Sequence, residues 1–277
     1  GVTVKDSIDL QLIDLTINNS IQNPSLDIDN SGISHQGTVI MNNISIFNPC
    51  VYEEDAADCS DDRYAMRLNN VDAEINFLEL DSDVCGLYWK AKGDLISYIN
   101  DSLISSSIDC YNSGKNGFEL VDHTQLEGEN LDLFHSPIGL ENSIVNISNS
   151  IAPMNFTGQF EFKTSSHLRW ISPSTNSDEI HDINFASNDS ILDIMWNVEV
   201  HVLNQYLNHI PYSSVNLSFD QFESDYSTTL PYEGIDVLGP FIGKRWTPIN
   251  NWSNDNHVYT GCDYDSVHND SNSFELI

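Results

Sequence analysis

The sequence predicts an α+β fold of mostly antiparallel β-structure, with long curved strands wrapped around one long amphipathic helix at about 87–108. Two observations carry this expectation. Apolar residues alternate with a period of two through the N-terminal segments, and the period turns helical after Tyr88.

Taken in order, Val2, Val4, Ile8, Leu10 and Leu12 face one side, while Lys5, Ser7, Asp9 and Gln11 face the other. That is the pattern of a half-buried strand. The phase flips at Ile13, Leu15 and Ile17, which marks a bulge or a turn of the strand. Asn23-Pro24 and Asn30-Ser31-Gly32 are turn signals. A second strand is expected from Thr38 to Phe47. A third has Val71, Ala73, Ile75 and Phe77 inward against Asp72, Glu74 and Asn76. An acidic loop around residues 52–63 joins these antiparallel strands.

Leu95, Ile96, Ile99 and Leu103 then recur at helical spacing, preceded by Tyr88 and Ala91 and followed by Ile104 and Ile108. Beyond the helix come short alternating pieces at 118–121, 131–134, 144–147 and 154–162. Residues 190–210 fit a second short helix (Ile191, Met195, Val198, Val202, Tyr206, Ile210) or a strand (Trp196, Val198, Val200, Val202). The expected organisation is a curved-sheet and helix domain at 1–166, a polar linker at 167–189 and a smaller, loop-rich unit at 190–277.

Forty-two acidic residues against ten basic ones give a formal charge of −32, which repels phosphate backbones and excludes nucleic acid as a partner. No apolar run approaches the roughly 18–20 residues of a membrane-spanning helix. The chain opens at Gly1 without Met, basic n-region or h-region, and so reads as a mature secreted protein. Nine N-x-[ST] triplets, headed by Asn18, Asn43, Asn100, Asn146, Asn155, Asn188, Asn216, Asn251 and Asn269, point the same way and imply N-linked glycans. So do Cys50, Cys59, Cys85, Cys110 and Cys262, none in a C-x-x-C pair, which read as a disulfide set with one thiol over. Cys85 and Cys110 flank the helix. At 1.5 Å per residue it would hold them about 30 Å apart, so they are not expected to pair with each other. Each is left to Cys50 or Cys59, with Cys262 free or intermolecular.

Catalytic signatures are missing: there is no G-x-S-x-G elbow, no H-E-x-x-H and no dinucleotide-binding glycine fingerprint. Gly239-Pro-Phe-Ile-Gly-Lys-Arg245 is one residue short of a phosphate loop and carries Arg245 where Ser or Thr is required. Asp27, Asp29 and Ser31, with Gly32, match the start of a calcium loop, but Thr38 stands where a bidentate Glu belongs. A plain turn is the stronger reading, and no metal is expected. His201 and His209 read as solvated or capping side chains. The chain is read as a non-enzyme.

The order of elements, with Leu95-Ile96-Ser97-Tyr98-Ile99-Asn100-Asp101-Ser102-Leu103 leading to Cys110, resembles the tubular lipid-binding (TULIP) fold of the bactericidal/permeability-increasing and lipopolysaccharide-binding proteins. Leu131-Asp132-Leu133-Phe134-His135-Ser136-Pro137 with Phe156-Thr157-Gly158-Gln159-Phe160 resembles the closure of that family's first barrel. Ser190 to Trp196 resembles the opening of its second. The resemblance implies a Cys59–Cys110 or Cys50–Cys110 disulfide. It also implies a groove for lipid, lined by Val71, Ile75, Phe77, Leu95, Ile96, Ile99 and Leu103. The acidic surface favours neutral lipid or sterol over lipid A, and too few residues follow Ile191 for a full second barrel. The alternative is a structural subunit of an extracellular filament or surface assembly. In that reading the N-terminal strand (residues 2–17, with Val2, Val4, Ile8, Leu10 and Leu12 inward) completes the sheet of another copy.

Overall fold

A computed structural model describes residues 1–18, 24–34, 37–48, 64–83, 85–106, 110, 115–153, 159–173, 183–218 and 226–248. The chain winds back and forth between two sheets. The first holds β1 (Val2–Lys5), β3 (Leu26–Asp29), β5 (Tyr64–Asn69), β7 (Cys85–Lys90), β10 (Phe118–Val121), β12 (Ile138–Glu141), β14 (Phe160–Phe162) and β16 (Ile183–Phe185), in that order. The second holds β2 (Gln11–Asn18), β4 (Val39–Asn48), β6 (Ala73–Ser82), β8 (Ser97–Asn100), β11 (Leu126–Glu129), β13 (Ile144–Ser148), β15 (His167–Ile171) and β17 (Ile191–His201). All neighbours among these are parallel, and β9 (Leu103–Ser105) adds a further parallel pairing to β6. Antiparallel β20 (Ile235–Trp246) closes the second sheet on β17, and β18 (Ser214–Leu217) pairs with β19 (Tyr226–Thr229) as a hairpin. The architecture is a parallel β-solenoid, in which each coil buries its apolar side only by stacking on the next.

The core lies between the sheets. Leu26, Met66, Leu87, Phe118, Ile138 and Phe160 form one in-register inward row, and Met41, Ile75 and Ile99 begin another on the facing sheet; all are fully buried. Register alignment stacks like on like. Phe162 lies on Phe185 with ring centroids 4.8 Å apart and planes 26° apart, while Phe160 meets Trp170 edge-on at 5.8 Å.

One backbone device recurs in the long sheet. Asp14, Asn43, Phe77, Asp101, Asn130, Asn149 and Ser172 all have positive φ, and each follows an outward residue. The bend resets the pleat, so Leu12 and Leu15 both point inward across Asp14. Asp and Asn tolerate this left-handed conformation better than other side-chain-bearing residues, and their short polar arms bond along the column. Asn43 Nδ2 donates to Asp14 Oδ1 at 2.6 Å, and Asn130 Nδ2 to Asp101 Oδ1 at 2.9 Å.

Buried serines satisfy the amides at the corners. The His123 amide donates to Ser143 Oγ (3.2 Å), Ser143 to Ser166 Oγ (3.1 Å) and Ser166 to Ser190 Oγ (3.2 Å), at separations of 20, 23 and 24 residues. Fully buried Asp72 organises another corner by accepting the amides of Lys92, Gly93, Asp94 and Leu95.

Several sequence-based expectations are corrected here. Strands make up 59% of the described residues, and no long amphipathic helix is present among them. Residues 87–108 instead supply part of β7, all of β8 and all of β9. The inward residues Ser97, Ile99, Ser102 and Ile104 are spaced two, three and two apart because Asp101 bends the strand, and that mixture imitates helical periodicity. Removing the helix also removes the element order on which the tubular lipid-binding resemblance rests. The strands expected to be antiparallel are parallel neighbours. Cys85 and Cys110, expected to be held apart, form a disulfide with Cα atoms 5.0 Å apart. They lie one coil apart, and one coil rises by about the 4.8 Å of strand spacing. At 190–210 the strand alternative holds, as β17. The stretch read as a linker supplies β15 and β16.

Two predictions follow from these columns. Phe77 is the bulky exception among the bend residues, at φ 59° and 55% exposed. Phe77→Asn is expected to raise stability by about 1 kcal/mol in urea unfolding, and a loss of stability would contradict the strain. The second concerns buried His123, whose Nε2 lies 3.1 Å from the Trp89 carbonyl oxygen and donates to it. Burial pushes its pKa down from 6.5 to about 4. The stability it contributes is present above pH 6.5 and lost as pH falls toward 4, because only the unfolded chain then takes the proton. About 3 kcal/mol should disappear over that window. His123→Gln should flatten this slope in urea titrations at stepped pH; an unchanged slope contradicts the assignment.

Candidate functional site

The outward residues of the long sheet also align into columns. Register pairing places Tyr98, Glu127, Asn146, Arg169, Asp193 and Arg245 one strand apart in succession, on β8, β11, β13, β15, β17 and β20. A parallel column contains Ile171, Met195 and Ile242. At the β20 end the two columns and Pro240 line a cavity of about 350 Å³ formed by Glu127, Asn146, Arg169, Ile171, Asp193, Met195, Pro240, Ile242 and Arg245. The wall is apolar on one side and carries carboxylate, amide and guanidinium groups on the other.

Asp193 is the anchor. Its side chain is 1% exposed, and Arg245 grips it with Nε on Oδ1 at 2.5 Å and an η-nitrogen on Oδ2 at 2.7 Å. His167 Nε2 adds a contact to Oδ2 at 2.8 Å. Burial opposes the charged carboxylate, but the Arg245 and His167 hydrogen bonds prevail and hold its pKa below the usual range. Glu127 is fixed as well: Gln125 Nε2 donates to Oε1 at 2.6 Å and Asn146 Nδ2 to the same oxygen at 2.7 Å. Asn146 Oδ1 is buried and accepts no hydrogen bond from a described residue. Arg169, between Asn146 and Asp193, is exposed and makes no ion pair with any described residue.

The first sheet carries a different cluster on its outer face. The Tyr64 hydroxyl donates to Glu119 Oε2 at 2.9 Å, and Lys163 pairs with Glu119 and lies 3.8 Å from Glu161. Burial, then the Glu119 charge, pushes the Tyr64 pKa far above its ordinary value. Burial works against the Lys163 ammonium, yet Glu119 and Glu161 hold its pKa above the ordinary lysine value. Gly139 separates the two glutamates in register. The space over it is filled by Asn116, whose Nδ2 would lie 2.4 Å from an added Cβ and donates to Glu161 at 2.7 Å. This cluster is packed, with Lys163 set between the two glutamates.

The residues singled out in the sequence fall elsewhere. Of the expected groove, Val71, Ile75 and Ile99 are packed in the core, whereas Phe77, Leu95, Ile96 and Leu103 are on the surface. The expected donor strand pairs within its own chain, β1 on β3 and β2 on β4; Val2, Val4, Leu10 and Leu12 are half-buried, and Ile8 is exposed. Asp27 gives both oxygens to Arg67, and Asp29 Oδ1 accepts the Ser31 amide, which is the arrangement of the turn. No group of three or more metal-ligating side chains occurs among the described residues. His201 and His209 lie together, ring centroids 5.4 Å apart, with Glu199 on His201 at 2.7 Å. Among the sequons, Asn18, Asn43, Asn188 and Asn216 are exposed, while Asn100 and Asn146 are half-buried with Nδ2 bonded to Asn76 and Glu127. Asn155, Asn251, Asn269, Cys50, Cys59 and Cys262 lie outside the described residues.

Sequence reasoning missed Arg169, Asp193 and Arg245. The available signal was scarcity: with ten basic residues against forty-two acids, an arginine in an alternating strand such as His167–Ile171 is conspicuous. No helix of the described residues is long and apolar enough to cross a membrane. The Cys85–Cys110 disulfide is compatible with an oxidising compartment. No protein-family model, curated protein or solved structure matches the chain.

Proposed function

We propose that the chain is a secreted, non-catalytic binding protein that holds an extended glycan along the outer face of the long sheet. The observation that carries this reading is the column from Tyr98 through Glu127, Asn146 and Arg169 into the cavity. A partly exposed tyrosine ring offers a flat apolar face, and planar carboxylate, amide and guanidinium groups then follow at intervals of about 4.8 Å. A polymer of rings with apolar faces and hydroxyl edges matches that alternation better than an acyl chain does. Extracellular residence is supported by the disulfide and by exposed sequons at Asn18, Asn43, Asn188 and Asn216, which would carry the glycans of a secreted protein.

The carboxylate spacing supports a non-catalytic role. Glu127 and Asp193 are three strands apart in register, with Cα atoms about 14 Å apart, and the Glu127 carboxylate is turned to Gln125 and Asn146. Asp193 is in addition locked by Arg245 and His167. Calorimetry against a panel of oligosaccharides tests the proposal: one class should bind, and Tyr98→Ala should weaken it about tenfold. Absence of binding, an indifferent Tyr98→Ala variant or release of sugar fragments would contradict it.

A second reading, self-assembly, is favoured by the N-terminal coil. Among the described residues β1 and β2 have one sheet neighbour each, and Val2, Val4 and Leu12 are half-buried where their register partners Leu26, Ile28 and Met41 are fully buried. Light scattering over a concentration series should then show association that Leu12→Asp abolishes; a monomer at every concentration removes this reading.

A further inference from the structure

Arg169 is an anomaly of charge. The chain holds forty-two acidic side chains, yet this guanidinium, one strand from Asp193, pairs with no carboxylate among the described residues. Arg245 holds both Asp193 oxygens from the antiparallel cap strand, His167 shares one of them, and Glu127 lies two strands away with Oε1 bonded to Gln125 and Asn146. The cavity therefore presents one uncommitted, five-donor planar cation beside a neutralised ion pair.

We infer that this cavity is an acid-recognising subsite, in which Arg169 binds the carboxylate of an acidic sugar. The inference rests on the glycan-binding reading and narrows it to uronate-type ligands. A carboxylate matches the fork of the guanidinium, and charge-assisted bidentate pairing is the strongest polar contact the pocket can offer. Ile171, Met195, Pro240 and Ile242 supply the apolar wall for the ring face. The −32 charge of the whole chain acts against any anion at long range, so the subsite gains its selectivity at contact distance, where screening by salt matters least.

The test is calorimetry of the full chain with uronate-containing oligosaccharides, each paired with its methyl ester, and with an acidic peptide as a third arm. The acid forms should bind about 10- to 100-fold more tightly than their esters. Arg169→Gln should remove the preference for the acid forms over their esters while leaving the unfolding midpoint unchanged. Arg169→Lys should recover only part of the loss, since a point charge lacks the fork. Equal binding of acid and ester, or an unaffected Arg169→Gln variant, overturns the subsite and leaves the glycan-binding reading standing. Failure of every saccharide overturns both. Preferential binding of the acidic peptide overturns the sugar assignment.

Discussion

The whole structure depends on in-register parallel stacking. Each coil rises by one strand spacing and returns its side chains directly above those of the coil before. That one constraint places Phe162 on Phe185, Ile28 under Leu68, and Cys110 within 5.0 Å of Cys85. It converts sequence neighbours about a coil apart into spatial neighbours and makes the core a set of columns. No coil is stable alone, because its inward row is buried only by the rows on either side.

The polar groups obey the same rule. Buried serines at Ser143, Ser166 and Ser190 accept the amides of the preceding coil, so the corners need no water to be satisfied. The column of left-handed bends solves a different problem. A strand that kept strict alternation would run straight past the core. One residue with positive φ turns it and restores the inward phase, which is why Asp and Asn occupy most of these positions. The same alignment produces the outer face, where a mixed row of Tyr98, Glu127, Asn146 and Arg169 emerges from residues far apart in sequence. Antiparallel β20 then brings Arg245 to the end of the row, neutralises Asp193 and leaves Arg169 exposed beside a closed ion pair.

Much of the strand content was legible. The alternation of Val2 and Val4, the phase flip after Leu12, and the pieces at Phe118–Val121 and Ile144–Ile147 all correspond to strands or to the bend between their segments. The arrangement of those strands was not legible, for two physical reasons. The bend residues mix spacings of two and three, so Ser97, Ile99, Ser102 and Ile104 imitate a helix face. The connections that return to the first sheet also differ in length, as between Asn48 and Tyr64 on one hand and Ser82 and Cys85 on the other, which hides the coil period. The disulfide expectation failed as a consequence: a straight helix separates its ends, whereas a coil closes on itself. The candidate site was the least legible part, because Glu127, Asn146, Arg169, Asp193 and Arg245 share no motif and meet only through register.

The central claim is that this outward column is a binding surface whose selective point is Arg169. A crystal structure of the chain with an acidic oligosaccharide tests it most directly. The sugar chain is expected to run across β8, β11, β13 and β15, with a carboxylate on the Arg169 guanidinium and a ring against Tyr98. A ligand seated on the first sheet, or lying along the column with its carboxylates turned away from Arg169, would contradict it.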